Sequence, residues 1–515
     1  MIQKIKTITN IWLTGYEVLV EVDSNKSLPN IEIVWLPDAA IKESKERIRA
    51  TFRNVGIEMP NRKIILNLSP SDIKKIWTRF DLPMAAAILL MIYEWNLFNY
   101  EYIHDSIFLG ELGLDGNLKK VNGILPSVIS ALKMWYKNFF VPQENIYELG
   151  YIKWINIFPI DNFRQIKEFF VDNEFIDPVI WWDFKIDMND VDSFDIDFAD
   201  IKGHLFAKRA LSIAAAGMHN VLMVWAPGSG KTLLAKALAW ILPPLMFDEI
   251  LEVSQIYSLV GKLDKEHPLV TQRQFRPIHH TASKVSIIGW WLNLTPWEIS
   301  LAHKWILFFD ELPEFPSQVL EVLRQPLEDK KINISRAHGT VEYPCQFMFV
   351  SAMNPCRCWY YKDREKDCKC GINEIKRYQS RISWPLLDRF DMILEIPREN
   401  IDKILEKSKS ESSASIREKV IKAWELQQKR FKDENLQNNS SMGPKEIDKY
   451  ISLDEQSHNF LKTATQRFTL STRVVHRILK LARTIADMNG DENMGIDHLA
   501  EAVQYRSKNM FISQE

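Results

Sequence analysis

The residues best placed to do chemistry follow a short apolar run. Val221 to Val224 leads into Trp225-Ala226-Pro227-Gly228-Ser229-Gly230-Lys231-Thr232, and a helical pattern continues over 233–239. A strand, a glycine-rich turn, Lys-Thr and a helix in that order suit a nucleotide's phosphates. Backbone N–H groups and the helix N-terminus cradle the oxygens, the Lys231 ammonium neutralises the β and γ charges, and the Thr232 hydroxyl enters the Mg²⁺ shell. One position departs from such a P-loop, whose opening glycine is Trp225 here. Downstream, Trp305-Ile306-Leu307-Phe308-Phe309 ends in Asp310-Glu311. This is an apolar strand carrying one carboxylate to hold Mg²⁺ and one to orient and polarise an attacking water. A third apolar run, Phe347 to Met353, ends in Asn354, an amide able to position that water. A chance Gly-Ser-Gly-Lys-Thr, a solvated Asp-Glu pair and a turn Asn are the bland alternatives. The three elements in this order favour ATP hydrolysis with ATP and Mg²⁺ as cofactors.

Two further constellations lie close by. Cys356-Arg-Cys358 and Cys368-Lys-Cys370 put four thiols into one short segment, a soft ligand set suited to tetrahedral Zn²⁺ with a structural role; free or redox-active thiols are the alternative. Residues 330–343 read as a β-hairpin with its turn near Arg336 to Gly339, where Arg336 and His338 could grip DNA phosphates. An ordinary surface hairpin is the other reading. Cys345 reads as core packing, and no chemistry follows from His279-His280 beside Arg276.

These residues need a scaffold. With 46% hydrophobic and 26% charged residues and a net charge of −2, the 515-residue chain is neither disordered nor collagenous nor a disulfide miniprotein. Near neutrality leaves no global basic field, so nucleic acid would have to be met by local loops. No run of about 20 apolar residues occurs and the first ten residues lack a signal-peptide core, so a cytoplasmic protein without membrane contact is expected. Short β-rich runs alternate with helical patterns over 1–175, an α+β domain. An acidic linker is expected over 176–198. Over 199–400, apolar strands alternate with helices, the pattern of a parallel sheet covered on both faces. Residues 401–515 read as all-α.

Several stretches resemble a known family: AAAGMHNVLMVWAPGSGKT, HHTASKVSIIGWW, PWEISLAHKWILFFDELPEF, VLEVLRQPLED, MNPCRCWYY and RISWPLLDRFD. They are similar to the ComM/YifB family of magnesium-chelatase-like AAA+ ATPases, as are VWLPDAAIKESKERIRA and FDLPMAAAILL near the start and LSTRVVHRILKLARTIADM near the end. The resemblance implies an α/β AAA+ P-loop core, a C-terminal helical lid domain and a homo-oligomer, a hexameric ring with nucleotide between protomers. It makes Asn354 the sensor-1 residue, Arg389 the arginine finger offered to a neighbour's γ-phosphate, with Arg381 as competitor, and Arg473 the sensor-2 arginine. Planar, permanently charged guanidinium groups suit that work. Ile201 to Gly203 would pass adenine, and the 330–343 hairpin would point into the ring's pore.

GELGLDGNLKKVNGILPSVISALKMW is similar to the proteolytic domain of Lon-type proteases, a fold of the ribosomal S5 domain 2 type. Where that family carries its serine this chain reads Trp77-Thr-Arg-Phe-Asp-Leu-Pro83, and where it carries its lysine, Gly123-Ile-Leu-Pro126. The nucleophile and its activating amine are both missing, so no peptidase is expected. The favoured function is an ATP-driven DNA translocase or branch-migration motor. The alternative is a chelatase-type ATPase that remodels a protein or metal-insertion partner.

The composition holds one anomaly, 18 Gly against 17 Trp. Eleven Trp fall where the family pattern has Gly: Trp35, Trp77, Trp135, Trp225, Trp240, Trp290, Trp291, Trp297, Trp305, Trp359 and Trp384. Reassigning them brings Gly to 29 and Trp to 6. UGA codons that mean glycine in the source, read as tryptophan, would produce this pattern.

Overall fold

The structure, a computed structural model, describes residues 2–34, 39–71, 78–180, 196–225, 230–282, 298–336, 339–363, 366–396, 411–434, 436–506 and 511. Most of the expected acidic linker lies outside them. The chain forms two compact units, one of Met1–Ile186 with Phe247–Thr271 and Leu294–Pro296, the other of the remaining residues. Packing therefore groups 247–271 with the first unit, although sequence order places that stretch inside the ATPase-like core.

In the first unit, strands Gln3–Ile11 (β1), Thr14–Asn25 (β2), Asn30–Val34 (β3), Lys63–Ser69 (β4), Ser106–Phe108 (β5), Asn138–Pro142 (β8) and Asn156–Ile160 (β9) form a seven-stranded sheet in the order β3-β4-β2-β1-β5-β8-β9; Glu111–Leu112 (β6) and Leu118–Lys119 (β7) make a small separate pair. The β1–β2 and β2–β4 pairings are antiparallel, the others parallel. The helix Asp81–Ile92, buried from Asp81 to Leu90, anchors the core, and Asp81 within it is paired with Arg47 at 2.6 Å. The segments read as lacking a dyad carry a buried Arg79, which donates to Ser127 Oγ (2.9 Å) and to the Asn122 carbonyl (2.7 Å). The helix Phe247–Leu259 joins this unit through Ser258, whose carbonyl accepts from the Gly123 N–H (2.8 Å) and whose hydroxyl donates to the buried Glu148 (2.6 Å).

The second unit is built on a five-stranded, wholly parallel sheet. Its strands are Val221–Trp225 (β10), Phe275–Ile278 (β11), Ile306–Phe309 (β12), Met348–Met353 (β15) and Met392–Ile396 (β16), ordered β11-β12-β15-β10-β16. Every residue of β12 and β15 is buried, as a sheet covered on both faces requires. Strands Lys331–Arg336 (β13) and Gly339–Pro344 (β14) form the expected hairpin immediately before β15, with Arg336 opposite Gly339. The strand starts are knitted by Asn220. Its side-chain oxygen accepts from Phe349 N–H (2.9 Å) and its carbonyl from Asp391 N–H (2.9 Å), while its own N–H donates to Asp391 (2.9 Å). Helices Ser413–Arg430, Glu455–Phe468, Thr472–Asn489 and Ile496–Gln504 complete the unit, and their apolar faces share one core with the sheet. No helix among the described residues is long and apolar enough to cross a membrane.

Among the described residues, thirteen non-glycine positions have φ in the left-handed range, and four of them are tryptophan: Trp12 (+62°), Trp135 (+73°), Trp154 (+71°) and Trp359 (+74°). Bulky side chains rarely adopt this backbone, whereas glycine does so freely. Trp135 stands just past the helix Ile124–Lys133, where Tyr136 N–H reaches back to the Ala131 carbonyl (3.1 Å) and a glycine normally terminates the helix. Trp135 and Trp154 are 87% and 82% exposed, so packing does not hold either indole in place. Trp240 behaves differently, lying inside the helix Lys231–Ile241 rather than beyond it, and Trp305 is buried. Trp384 opens the helix Trp384–Leu387. Trp35, Trp77, Trp290, Trp291 and Trp297 lie outside the described residues, and of Trp225 only the backbone lies within them.

Candidate functional site

Because the strands of the second unit are parallel, the segments leaving their C-terminal ends share one edge of the sheet. That edge receives Lys231 and Thr232 after β10, Asp310 and Glu311 after β12, and Asn354 after β15. Gly230, at φ +80°, starts the helix Lys231–Ile241; Ala226, Pro227, Gly228 and Ser229 lie outside the described residues. Lys231 Nζ donates to Asn354 Oδ1. Burial draws its ammonium below the usual lysine range, and the Asp310 and Glu311 carboxylates oppose that shift. Thr232 Oγ1 stands 3.4 Å from Asp310 Oδ2. Two oxygens at this separation can both reach one Mg²⁺, whose ligands lie at about 2.1 Å in octahedral array. Glu311 takes a left-handed backbone (φ +51°) with its N–H tied to Asp310 Oδ1 (2.9 Å). Its half-exposed carboxylate is therefore separated from the carboxylate that faces Thr232.

A residue given no role from sequence also belongs here. β11 runs beside β12, so the residues after Ile278 emerge next to Asp310-Glu311. His280 Nδ1 lies 3.5 Å from Glu311 Oε2, and its ring lies tilted by 32° against that of His279 with centroids 4.2 Å apart. The paired histidines had a readable signal in their position at a strand end, but their partner becomes visible only through the sheet order.

Arg389 and Arg473 gather elsewhere. Arg389 lies just before β16, and Met392, the first residue of β16, pairs with Val221, the first residue of β10. It therefore sits at the strand starts, on the order of 13 Å of strand away from the P-loop at roughly 3.3 Å per residue. Its guanidinium bonds Glu328, the Arg324 carbonyl (3.2 Å) and the Pro385 carbonyl (2.5 Å). Arg473, 70% exposed, approaches the same Glu328 at 3.7 Å. Both arginines are thus brought together at the sheet edge opposite their own chain's P-loop. Arg381 is paired with Glu314 at 2.8 Å. Ile201 is buried, and its carbonyl accepts from Lys208 Nζ.

The four cysteines converge. Sγ–Sγ separations are 3.4 Å for Cys356–Cys358, 3.7 Å for Cys356–Cys368 and 3.4 Å for Cys358–Cys368, and Cys370 lies within 4.8 Å of all three. A tetrahedron with metal–sulfur bonds of about 2.3 Å has edges of about 3.8 Å, so this cluster can hold a metal ion. Burial pushes the Cys356 thiol up to about 12. Burial acts against Cys358 ionising too, yet the backbone N–H groups of Tyr360 and Lys369 bring it down to about 6. Trp359, at φ +74°, shapes the first Cys-x-Cys turn, its N–H donating to the Cys356 carbonyl (3.1 Å). Gln379 ties the segment's start to the helix Ile372–Gln379 through the Pro355 carbonyl (2.9 Å). Cys345 is buried, which raises its thiol above the ordinary range. On the hairpin, Arg336 ends β13, its side chain and all of His338 lying outside the described residues.

Comparison with known families places three models along the chain: "Magnesium chelatase, subunit ChlI" over residues 197–404, "Subunit ChlI of Mg-chelatase" over 20–145, and "Magnesium chelatase, subunit ChlI C-terminal" over 410–506. Among curated proteins, the uncharacterised protein YifB of Salmonella typhimurium is 37% identical over 491 residues, spanning 95% of this chain and 94% of its own. Competence protein ComM of Haemophilus influenzae is 36% identical over 491 residues with the same coverage. An uncharacterised protein of Mycobacterium bovis is 32% identical over 495 residues, 96% of each chain.

Proposed function

Since the chain belongs to the ComM/YifB family of magnesium-chelatase-like AAA+ ATPases, we propose that it is an ATP-hydrolysing motor that assembles as a hexameric ring and acts on DNA as a translocase or branch-migration helicase. The observation that carries this reading is the split of the site's parts between two edges of one sheet. Lys231, Thr232, Asp310, Glu311 and Asn354 lie on one edge, and Arg389 and Arg473 on the other. Complete sites then form only where one protomer's arginines meet its neighbour's P-loop. In such a site Lys231 binds the phosphates, Thr232 and Asp310 hold Mg²⁺, and Mg²⁺ supplies charge neutralisation on the transferred group. Glu311, oriented by His280, takes up the proton of the attacking water, Asn354 aligns that water, and the two arginines stabilise the charge that develops.

The β13–β14 hairpin, one copy per protomer, supports the DNA side, because six copies of Arg336 and His338 would supply the local positive ring that a net charge of −2 does not. ComM's name assigns it to competence, and in this chain that supports a role in transformation or recombination inside the cytoplasm. The first unit is read as a Lon-like fold kept for assembly or substrate binding. The match to magnesium chelatase subunit ChlI favours the second reading, a remodelling ATPase for a protein or metal-insertion partner. The response of ATP turnover to forked DNA separates the two.

The cysteine cluster is assigned one structural Zn²⁺ that braces the segment between Asn354 and the helix Ile372–Gln379. Elemental analysis of the full chain is expected to find about one zinc per protomer. Cys368→Ser should lose the metal and lower the melting temperature by several degrees, whereas a metal-free protein with unchanged melting would refute the site.

The glycine-like tryptophans are read as recoded positions. Left-handed backbone at Trp135 and Trp359 supports glycine there, and Trp12 and Trp154 extend the set beyond the eleven. The gene is expected to carry UGA at Trp135, Trp225 and Trp359, and peptides from the source cell to carry glycine. UGG at these codons would overturn the assignment.

A further inference from the structure

The helix Thr472–Asn489 presents Arg473, His476, Arg477 and Lys480, spaced as i, i+3, i+4 and i+7, to a single cavity of about 420 Å³. This cationic stripe covers about 10 Å of helix at 1.5 Å per residue. Lys330, which follows the helix Arg324–Asp329, also lines it, as do Asn220 and Asp391 at the strand starts of β10 and β16. The cavity therefore lies at the sheet edge opposite the P-loop, where a nucleotide held by the same chain's Lys231 does not reach it, and of its lining residues only Arg473 is given a part in a neighbour's nucleotide site.

Its charges do not balance. Asp391 is already engaged by Arg477 (2.5 Å) and the Asn220 N–H (2.9 Å), and Glu328 at the rim by Arg389 and Arg473. Lys480 Nζ has a carbonyl partner, Ser440 (3.1 Å), and Lys330 Nζ a hydroxyl partner, Ser441. Neither ammonium has a carboxylate within ion-pair distance among the described residues. Burial, with added repulsion from Lys480 and Lys304, pushes Lys330 down to about 8. Confining like charges away from water is costly, and an anion seated between them would offset that cost. The volume is that of a small-molecule site, and the polar, donor-rich walls suit phosphate oxygens.

We infer that this cavity is a second binding site for a small polyphosphate anion, either inorganic pyrophosphate or the phosphate chain of a nucleotide, held chiefly by Lys330, Arg477 and Lys480. The assignment goes beyond the motor reading and does not depend on DNA. Calorimetric titration of full-length Lys231→Ala protein, in which the P-loop is silenced, tests it with pyrophosphate and with ATP as separate probes. Pyrophosphate is expected to bind at about one equivalent per chain. Adding Lys480→Met should weaken that binding at least tenfold, and Lys480→Arg in the same background should restore most of it. ATP binding tenfold tighter than pyrophosphate identifies a nucleotide site, and equal affinities identify a site for the phosphate chain alone. Absence of pyrophosphate binding in Lys231→Ala overturns the inference. So does binding that Lys480→Met leaves unchanged in a protein whose melting curve matches its parent's. Loss of ATP turnover in Lys231→Ala with pyrophosphate still bound keeps the two sites distinct.

Discussion

Glu311→Gln is expected to lower ATP turnover by roughly 10²- to 10⁴-fold, the range a positioned general base contributes, while ATP still binds. The expectation follows from the division of labour at the end of β12. Asp310 faces Thr232 across 3.4 Å, where the proposal puts Mg²⁺, and Glu311, with a left-handed backbone, has its carboxylate near His280. An amide at 311 keeps the shape and loses only the ability to accept the water's proton. Lys231→Ala should act at the earlier step, weakening nucleotide affinity itself, because the ammonium it removes, which bonds Asn354, is the group proposed to bind the phosphates. Fluorescent-nucleotide binding together with single-turnover hydrolysis separates the two variants. Equal turnover in wild type and Glu311→Gln would contradict the roles given to both carboxylates.

Arg389→Ala is expected to reduce turnover by about 10³- to 10⁵-fold, the range of an arginine finger, without changing the affinity of the chain's own P-loop for ATP. Arg389 lies at the strand starts and spends its hydrogen bonds on Glu328 and two carbonyls, so its removal leaves the Lys231 edge untouched. Mixing provides a sharper readout. Rings assembled from Glu311→Gln and Arg389→Ala chains contain some junctions where an intact Glu311 meets an intact Arg389, and these should recover part of the activity that each variant lacks alone. No recovery on mixing would mean that the arginine does not act across a protomer boundary.

Much of this was legible in the chain. The strands β10 and β12 stand within one residue of their apolar runs, because a sheet buried on both faces leaves an uninterrupted hydrophobic stretch between polar ends. The 330–343 hairpin was equally readable, since its turn residues interrupt two alternating segments. Other features depend on tertiary order, which local patterns do not encode. β8 and β9 are short and join the sheet only through long-range parallel pairing. The helix Phe247–Leu259 falls in sequence between strands of the second unit, and the bonds of Ser258 to Gly123 and Glu148 tie it to the first. His280 gains its relation to Glu311 from β11 lying beside β12. The spacing of Arg473, His476, Arg477 and Lys480 on one helix face is present in sequence, but the cavity they line is formed with Asn220 and Asp391 from the strand starts of β10 and β16, which only the tertiary order brings there. The tryptophan anomaly was visible in composition, but Trp12 and Trp154 emerged only from their backbone angles.

The most direct test of the motor assignment is the steady-state ATPase rate of the full-length protein with and without forked DNA, measured at low salt where phosphate contacts are strongest. A DNA-driven motor predicts a several-fold rise in turnover that falls as salt is added and vanishes in Glu311→Gln. A rate indifferent to single-stranded and forked DNA alike would contradict it, and would leave the chain a chelatase-type ATPase working on another kind of partner.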